Sequence, residues 1–237
     1  INSSDKSSKG LYFLNTLSPS EINYSIFSNL SNNTFLNQKG AVTFYKSNVN
    51  IYNSTFTNNI NGDDLLNIIN SKFSLENSTF YDSKFDAFDS DFSNGLISNC
   101  KFFNIKNDAI DTSGGSIKVE NSSFYQVDDK AISAGENSSL NINNVKIEKA
   151  NIGIASKDGS SVYIDQIEIL NSKYGLTAYN KKHYFKNGSI FSINTNIKNV
   201  NFPFIAEKNS IITSNNKIMK SNFDDVRGFK EYLELTK

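Results

Sequence analysis

Aspartates recur at regular intervals in the middle of this sequence. Asp64, Asp86 and Asp108 follow one another at steps of 22 residues. Nine of the 15 aspartates lie around the same short motif, and they are Asp63, Asp64, Asp86, Asp89, Asp91, Asp108, Asp111, Asp128 and Asp129. Carboxylates held about 5 Å apart on neighbouring strands repel, which raises their pKa unless a cation lies between them. The spacing therefore predicts an acidic strip whose charge must be compensated.

Calcium is one cation that would compensate this charge, because it prefers several oxygen ligands at once. The candidate metal ligands are Asp86, Asp89, Asp91, Asp108 and Asp111. The competing interpretation is that these acids are solvated, that Lys130 balances part of their charge, and that they keep the surface from self-association. Both interpretations are open at the level of the sequence.

Catalysis is the third chemistry open to these residues. Lys130 follows Asp108 at the same step of 22 residues, so these two are the candidate catalytic residues of a polysaccharide lyase or glycoside hydrolase. The chain has one arginine, Arg227 in the C-terminal tail, which excludes an arginine base within the acidic segment. The only histidine, His183, is expected to pack partly buried in a column with Val162.

Tyrosines form a second candidate site. Tyr163 and Tyr184 are expected to share an outward column, with Tyr174 and Tyr179 close by. Tyrosine rings can stack on sugar rings, so these four residues are candidate ligands of a polysaccharide. The alternative is that exposed tyrosine is ordinary on strands.

The elements that position these residues are short strands in a repeat. A motif Asn-x-x-Phe and a second motif keep the same interval, and period-two alternation surrounds both. The second motif begins at Asp64, Asp86, Asp108, Lys130, Ile152 and Tyr174. Repeats of this length with Asn, Ser and Gly corners are typical of a parallel β-solenoid, in which like residues stack on like.

Three inward columns are predicted from this register. The first is Leu66, Phe88, Ile110, Ile132, Ile154 and Leu176; the second is Leu75, Ile97, Val119, Ile142, Ile164 and Phe185; the third is Phe56, Phe80, Phe102, Phe124, Ile147, Ile169 and Ile190. At one corner Asn77, Asn99, Asn121 and Asn144 are expected to form an amide ladder. Cys100, the only cysteine, follows this ladder and is expected to be a small packing residue.

These features resemble the pectin-lyase-like superfamily of right-handed parallel β-helices over residues 10 to 215. The coils Asp86-Ala-Phe-Asp89 and Asp108-Ala-Ile-Asp111 are also similar to β-helical regions of bacterial CotH-type surface proteins. The first resemblance implies lyases that hold calcium on aspartates and abstract a proton with Arg or Lys, and hydrolases that pair two aspartates. The sequence lacks the histidine and arginine motifs of those hydrolases, which argues against catalysis.

The ends and the composition complete the prediction. Residues 1–9 are expected to be a linker, residues 10–215 a β-helix of about 8–9 coils with an insertion near 180–199, and residues 216–237 a cap with a short helix. The 24 basic and 24 acidic residues cancel, so no net field attracts nucleic acid or an anionic membrane. No run of 18 apolar residues would span a membrane.

The leading prediction is an all-β, secreted or cell-surface module with a non-catalytic binding or structural role towards polysaccharide, with calcium as its candidate cofactor. The chain is also expected to be part of a larger protein or to be attached to an N-terminal domain. The alternatives are a calcium-dependent lyase or hydrolase at Asp86 to Lys130, and a passive spacer.

Overall fold

The computed structural model describes residues 1–3, 10–32 and 40–228, which form a solenoid of stacked coils. Each strand pairs in parallel with the equivalent strand of the coils before and after it. The strands of the described residues are β1 (Leu11–Leu14), β2 (Ser20–Asn23), β3 (Ile26–Ser28), β4 (Gly40–Tyr45), β5 (Val49–Tyr52), β6 (Thr55–Thr57), β7 (Asp64–Ile69), β8 (Lys72–Glu76), β9 (Thr79–Ser83), β10 (Asp86–Ser98), β11 (Lys101–Ile105), β12 (Ile110–Glu120), β13 (Ser123–Gly135), β14 (Ser139–Lys157), β15 (Ser161–Leu170), β16 (Tyr174–Tyr179), β17 (Ser189–Lys198), β18 (Phe202–Ala206), β19 (Ile211–Ser214) and β20 (Lys217–Ile218).

The strands lie on three faces, and the longest ones turn the corner from one face to the next. Face 1 consists of β1, β4, β7, the first parts of β10 and β12, the ends of β13 and β14, β16 and β18. Face 2 consists of β2, β5, β8, the second parts of β10 and β12, the starts of β14, β15 and β17, and β19. Face 3 consists of β3, β6, β9, β11 and the remaining parts of β13, β14, β15 and β17. The nine segments on face 1 confirm the predicted β-helix of eight to nine coils.

The predicted inward columns form the core. Ile110 pairs with Phe88 on one side and with Ile132 on the other, and all three side chains are fully buried. The phenylalanines of the third column stack face to face, with ring centroids 4.8 to 4.9 Å apart from Phe56 to Phe124. Burial of each such side chain contributes about 1.5–3 kcal/mol, so the columns hold the coils together.

In the second and third predicted columns, the residue predicted as the last member is wrong. Ser192 takes the place predicted for Phe185 in the second column, and Ile197 takes the place predicted for Ile190 in the third. The reason is the insertion, which the structure places at residues 180–188 between β16 and β17. It lengthens the step between equivalent serines to 28 residues, so the register after it moves.

Asparagine is favoured at these corners by the backbone conformation as well as by the amide ladder. Asn77, Asn99, Asn121 and Asn144 all have φ between 50° and 53°, the left-handed region that Asn tolerates better than most residues. The Asn144 side-chain amide donates to the Asn121 side-chain oxygen at 2.8 Å, whereas that of Asn99 donates to the Ser98 hydroxyl. The amide ladder is therefore confirmed at one step and interrupted at another.

Hydroxyl groups form a buried ladder beside it. The backbone N–H of Ser54 donates to the Ser78 hydroxyl, and the N–H of Cys100 donates to the Ser122 hydroxyl, each at 3.1 Å. Cys100 occupies one step of this ladder and is buried, as expected for a packing residue. Burial raises the pKa of its thiol to about 12, which keeps it protonated and unreactive.

The C-terminal end of the solenoid is covered by a hairpin and a crossing segment. β20 pairs antiparallel with β19, and the side chain of Asn222 accepts a hydrogen bond from the backbone N–H of Ala206 at 2.8 Å. The predicted capping helix is represented in the described residues only by a 3-10 turn, Val226–Gly228. The rest of that predicted helix, and residues 4–9 of the predicted linker, lie outside the described residues.

Candidate functional site

The predicted acidic strip lies on the outer side of face 1, and four of its nine aspartates are buried. Asp64, Asp86 and Asp108 are 1%, 8% and 4% exposed, and Lys130, which continues their column, is 1% exposed. Asp89, Asp91 and Asp111 are half-buried. The acid–lysine strip is defined here as Asp64, Asp86, Asp89, Asp91, Asp108, Asp111, Asp129, Lys130 and Lys157.

Lysine ammonium groups compensate part of this charge. The Lys130 Nζ lies 2.6 Å from an Asp129 carboxylate oxygen and 3.4 Å from Asp108 Oδ1. The Lys157 Nζ lies 3.7 Å from Asp111 Oδ1. Lys157 was not predicted as a member of the strip, because it is two coils from Asp111 and two residues past the repeated motif.

Backbone and amide groups also donate hydrogen bonds to carboxylates of the strip. Asp86 Oδ1 accepts a hydrogen bond from the N–H of Asp108 at 2.8 Å, and Asp108 Oδ1 accepts one from the N–H of Lys130 at 3.0 Å. The Asn67 amide donates to Asp89 at 2.9 Å. Asp86 and Asp108 thus bond to the following coil and Asp89 to the preceding one.

Burial and mutual repulsion raise the pKa of several of these acids. Burial raises the pKa of Asp86 and Asp89, and repulsion adds to it, from Asp108 on Asp86 and from Asp64 on Asp89. Burial also raises the pKa of Asp108 to about 6, against the attraction of Lys130. Both effects favour the neutral form of Asp86 and Asp89 relative to an exposed aspartate.

At the ion pairs, electrostatic attraction shifts the pKa more than burial does. Burial acts to raise the pKa of Asp111, but the attraction of Lys157, with a smaller one from Lys130, holds it below its usual value. Burial acts to lower the pKa of Lys130, but Asp108 and Asp129 raise it above the usual value. Lys130 and Lys157 are accordingly the resident cations of the strip.

This arrangement does not favour the predicted calcium site. In residues 1–3, 10–32 and 40–228, no three Asp, Glu, His or Cys side chains are grouped as metal ligands. The oxygens of Asp86 and Asp108 accept N–H groups, and two lysines take positions that a cation would otherwise occupy. Calcium binding stays a prediction.

Two of the four candidate tyrosines are buried. Tyr174 and Tyr179 are 0% exposed and form an apolar cluster on the outer side of face 1 with Ile152, Ile205 and Val226. Val226 belongs to the C-terminal segment that crosses this face, and its N–H donates to Glu207 at 2.8 Å. Placing Tyr174 and Tyr179 on a ligand-binding surface was wrong, because the tail covers them.

The insertion also separates the other two tyrosines. Phe191, not Tyr184, follows Tyr163 in the outward column of face 2. Tyr184 is 71% exposed on the inserted segment beside His183, which is also exposed. The predicted packing role of His183 was wrong, because Ile190 fills the inward position after Val162.

Tyr163 instead lies in a cleft of about 920 Å³ on face 2. Its ring stacks on Phe191 with centroids 5.5 Å apart, and the two rings are 49% and 37% exposed. The side chains in line with them on the preceding coils are Asn141 and Lys118. The cleft therefore combines exposed aromatic surface with amide and charged groups.

The charges of the cleft are partly compensated within it. The Lys118 Nζ lies 2.5 Å from a Glu120 carboxylate oxygen, and Asp165 accepts a hydrogen bond from the Asn194 amide at 2.8 Å. Phe191 was missed because the 28-residue step hides its column. Asn141 and Lys118 could have been found, since they precede Tyr163 in the regular repeat.

No helix in the described parts of the chain is long and apolar enough to cross a bilayer.

The resemblance to CotH-type surface proteins stays a prediction. Among curated proteins, none matches the sequence.

Solved structures show a distant likeness. One is the catalytic domain of a GH87 alpha-1,3-glucanase in complex with nigerose, with a TM-score of 0.40 and 14% identity over 91% of this chain and 59% of that one. Another such domain, in complex with tetrasaccharides, has a TM-score of 0.35 and 12% identity over 91% and 59% of the two chains. The chain thus spans about three fifths of the length of these glucanase domains.

A family model described as the right-handed beta helix region matches residues 60–190. These residues are more than half of the chain and include its most regular coils. The parallel pairing, the stacked core and this match agree, and the chain belongs to the right-handed β-helix family.

Proposed function

We propose that the chain is a secreted or cell-surface module that binds polysaccharide without modifying it, through the cleft on face 2. The observation that supports this most strongly is the exposed Tyr163–Phe191 pair within a cleft that spans several coils. Aromatic rings provide apolar surface for sugar rings, and neighbouring amides can donate to and accept from sugar hydroxyls.

The acid–lysine strip does not support the alternative of a lyase or hydrolase. A base must come within hydrogen-bonding distance of the substrate proton, yet Lys130 and Asp108 are 1% and 4% exposed. The ammonium of Lys130 is also held in its protonated form by Asp108 and Asp129, which is unsuitable for proton abstraction.

Glycan binding tests the proposal directly. Wild-type protein is expected to bind at least one immobilised polysaccharide, and Tyr163→Ala is expected to weaken that binding about tenfold. Tyr125→Ala is the matched control, because Tyr125 is 42% exposed on face 3, away from the cleft. Equal binding by wild type and Tyr163→Ala would contradict the proposed site.

A further inference from the structure

The Tyr163–Phe191 pair has one open side, and this determines how a ring could bind. Tyr163 stacks on Phe191 with an angle of 16° between their planes, so Phe191 covers one face of the tyrosine ring. The residue on the opposite side is Asn141, which is exposed and has a much shorter side chain. The opposite face of Tyr163 therefore borders a gap in the column.

The size of the gap follows from the strand spacing. Lys118 lies on the coil before Asn141, so Tyr163 and Lys118 are two strand spacings apart, about 9.6 Å. A ring in van der Waals contact lies about 3.5–4 Å from its partner. One ring fits against Tyr163 above Asn141, with space left for a hydrogen bond towards Lys118.

The charges of the gap argue against an anionic ring. Among the described residues that line the cleft, Lys118 is the one cation, and Glu120 already neutralises it at 2.5 Å. Glu120 and Asp165 contribute two carboxylates to the same cleft. A polymer of uronic acids would meet excess negative charge, whereas hydroxyl groups suit the amides of Asn141 and Asn143.

We infer that one uncharged sugar ring of the bound polysaccharide stacks on the open face of Tyr163, above Asn141, as an additional member of the aromatic column. This inference rests on the proposed function and specifies its ligand as a neutral glycan. Tyr163 provides the apolar contact, Asn141 forms the floor, and Lys118 and Glu120 form the opposite wall.

Two substitutions of the same residue test the position of the ring. Asn141→Tyr fills the gap with a side chain that extends the stack, while Asn141→Ser leaves it open. Both residues are acceptable on an exposed strand position, and thermal melting checks that the fold is unchanged. Both variants lose the Asn141 amide, but only Asn141→Tyr closes the gap, so we expect Asn141→Tyr to weaken binding of a neutral hexose oligosaccharide about tenfold more than Asn141→Ser does.

A second comparison tests the charge of the ligand. Wild-type protein is expected to bind the neutral oligosaccharide at least tenfold more tightly than an oligogalacturonate of equal length, measured by calorimetry at low salt. Lys118→Ala removes one hydrogen-bond donor from the wall of the gap, so we expect it to weaken binding of the neutral ligand by about twofold to tenfold.

The outcomes separate the inference from the proposed function. If Tyr163→Ala weakens binding but Asn141→Tyr does not, the cleft binds glycan and the position of the ring is wrong. Tighter binding of oligogalacturonate, abolished in Lys118→Ala, would overturn the neutral-ligand assignment alone. If the wild type binds neither the neutral nor the acidic ligand, nor any immobilised polysaccharide, both the inference and the proposed function fail.

Discussion

At the scale of single residues, Lys130 illustrates what a repeat predicts and what it does not. The 22-residue interval correctly places Lys130 beside Asp108, and their charged atoms lie 3.4 Å apart. The same interval gives no information on burial, and the side chains of Lys130 and Asp108 are only 1% and 6% exposed. The sequence therefore predicted an accessible catalytic pair where the structure has a buried ion pair.

Removal of the Lys130 charge should be costly. Lys130→Met leaves the carboxylates of Asp108 and Asp129 buried without their cation, so we expect a loss of about 3–5 kcal/mol in the free energy of unfolding at pH 7. Denaturant titration measures this. Lys146→Met is the control, because Lys146 is exposed and its ion pairs are long. A loss below about 1 kcal/mol for Lys130→Met would contradict the importance of the buried pair.

The raised carboxyl pKa values predict an unusual dependence of stability on pH. A folded-state pKa above the unfolded value means that the folded state binds the proton more tightly. The contribution of Asp108 is thus present below about pH 4 and is lost as the pH rises to about 6. Asp86 and Asp89 act in the same direction, and Asp111 acts in the opposite direction at lower pH.

We therefore expect the wild type to melt at a higher temperature at pH 5 than at pH 7. Asp86→Asn should raise the stability at pH 7 by about 1 kcal/mol and reduce the difference between the two pH values. Calorimetric melting at both pH values is the measurement. Asp82→Asn provides the comparison at an exposed carboxylate. A wild type that is markedly less stable at pH 5 would show that other groups dominate.

At the scale of elements, corners are more predictable than the strands that follow an insertion. Asn121 and Asn144 were predicted as a ladder from residue type and interval, and the structure shows their 2.8 Å hydrogen bond. Ile190 and Phe185 were misplaced because period-two alternation continues after residues 180–188 and does not reveal how many residues were inserted. A shift of register moves each later side chain to a different column.

The corner asparagines can be tested by a pair of substitutions. Asn121 has a φ of 50°, so Asn121→Ala should cost about 1–2 kcal/mol from backbone strain and the lost amide contact. Asn121→Gly removes the same contact without the strain, so we expect a smaller cost of about 0.5–1 kcal/mol. Chemical denaturation of both variants gives the comparison. Equal costs for Ala and Gly would show that φ is unimportant at this corner.

At the scale of the whole molecule, the coils were predictable and the end of the solenoid was not. The columns need only the repeat, whereas the cap depends on residues that belong to no repeat. Val226 packs in the cluster of Tyr174, Tyr179 and Ile205, and the sequence had predicted the two tyrosines as ligand-binding residues. Contacts between a unique segment and a repeated surface leave no periodic signal.

The cap should be required for stability. Val226→Asp places a carboxylate among buried apolar side chains and near Glu207, so we expect a loss of about 2–4 kcal/mol and increased binding of a hydrophobic dye. Ile218→Asp is the control, because Ile218 is 79% exposed on β20. A melting curve identical to the wild type would show that the crossing segment does not stabilise the last coils.

The segment 180–188 adds residues at one corner while Ile164 still contacts the next coil through Ser192 and Ile154 through Leu176. The strand pairing on either side of residues 180–188 therefore does not depend on how many residues the connecting segment contains. Such a corner is a natural graft point, where a foreign peptide could be displayed, or a new specificity could evolve, while the coils on either side keep their register.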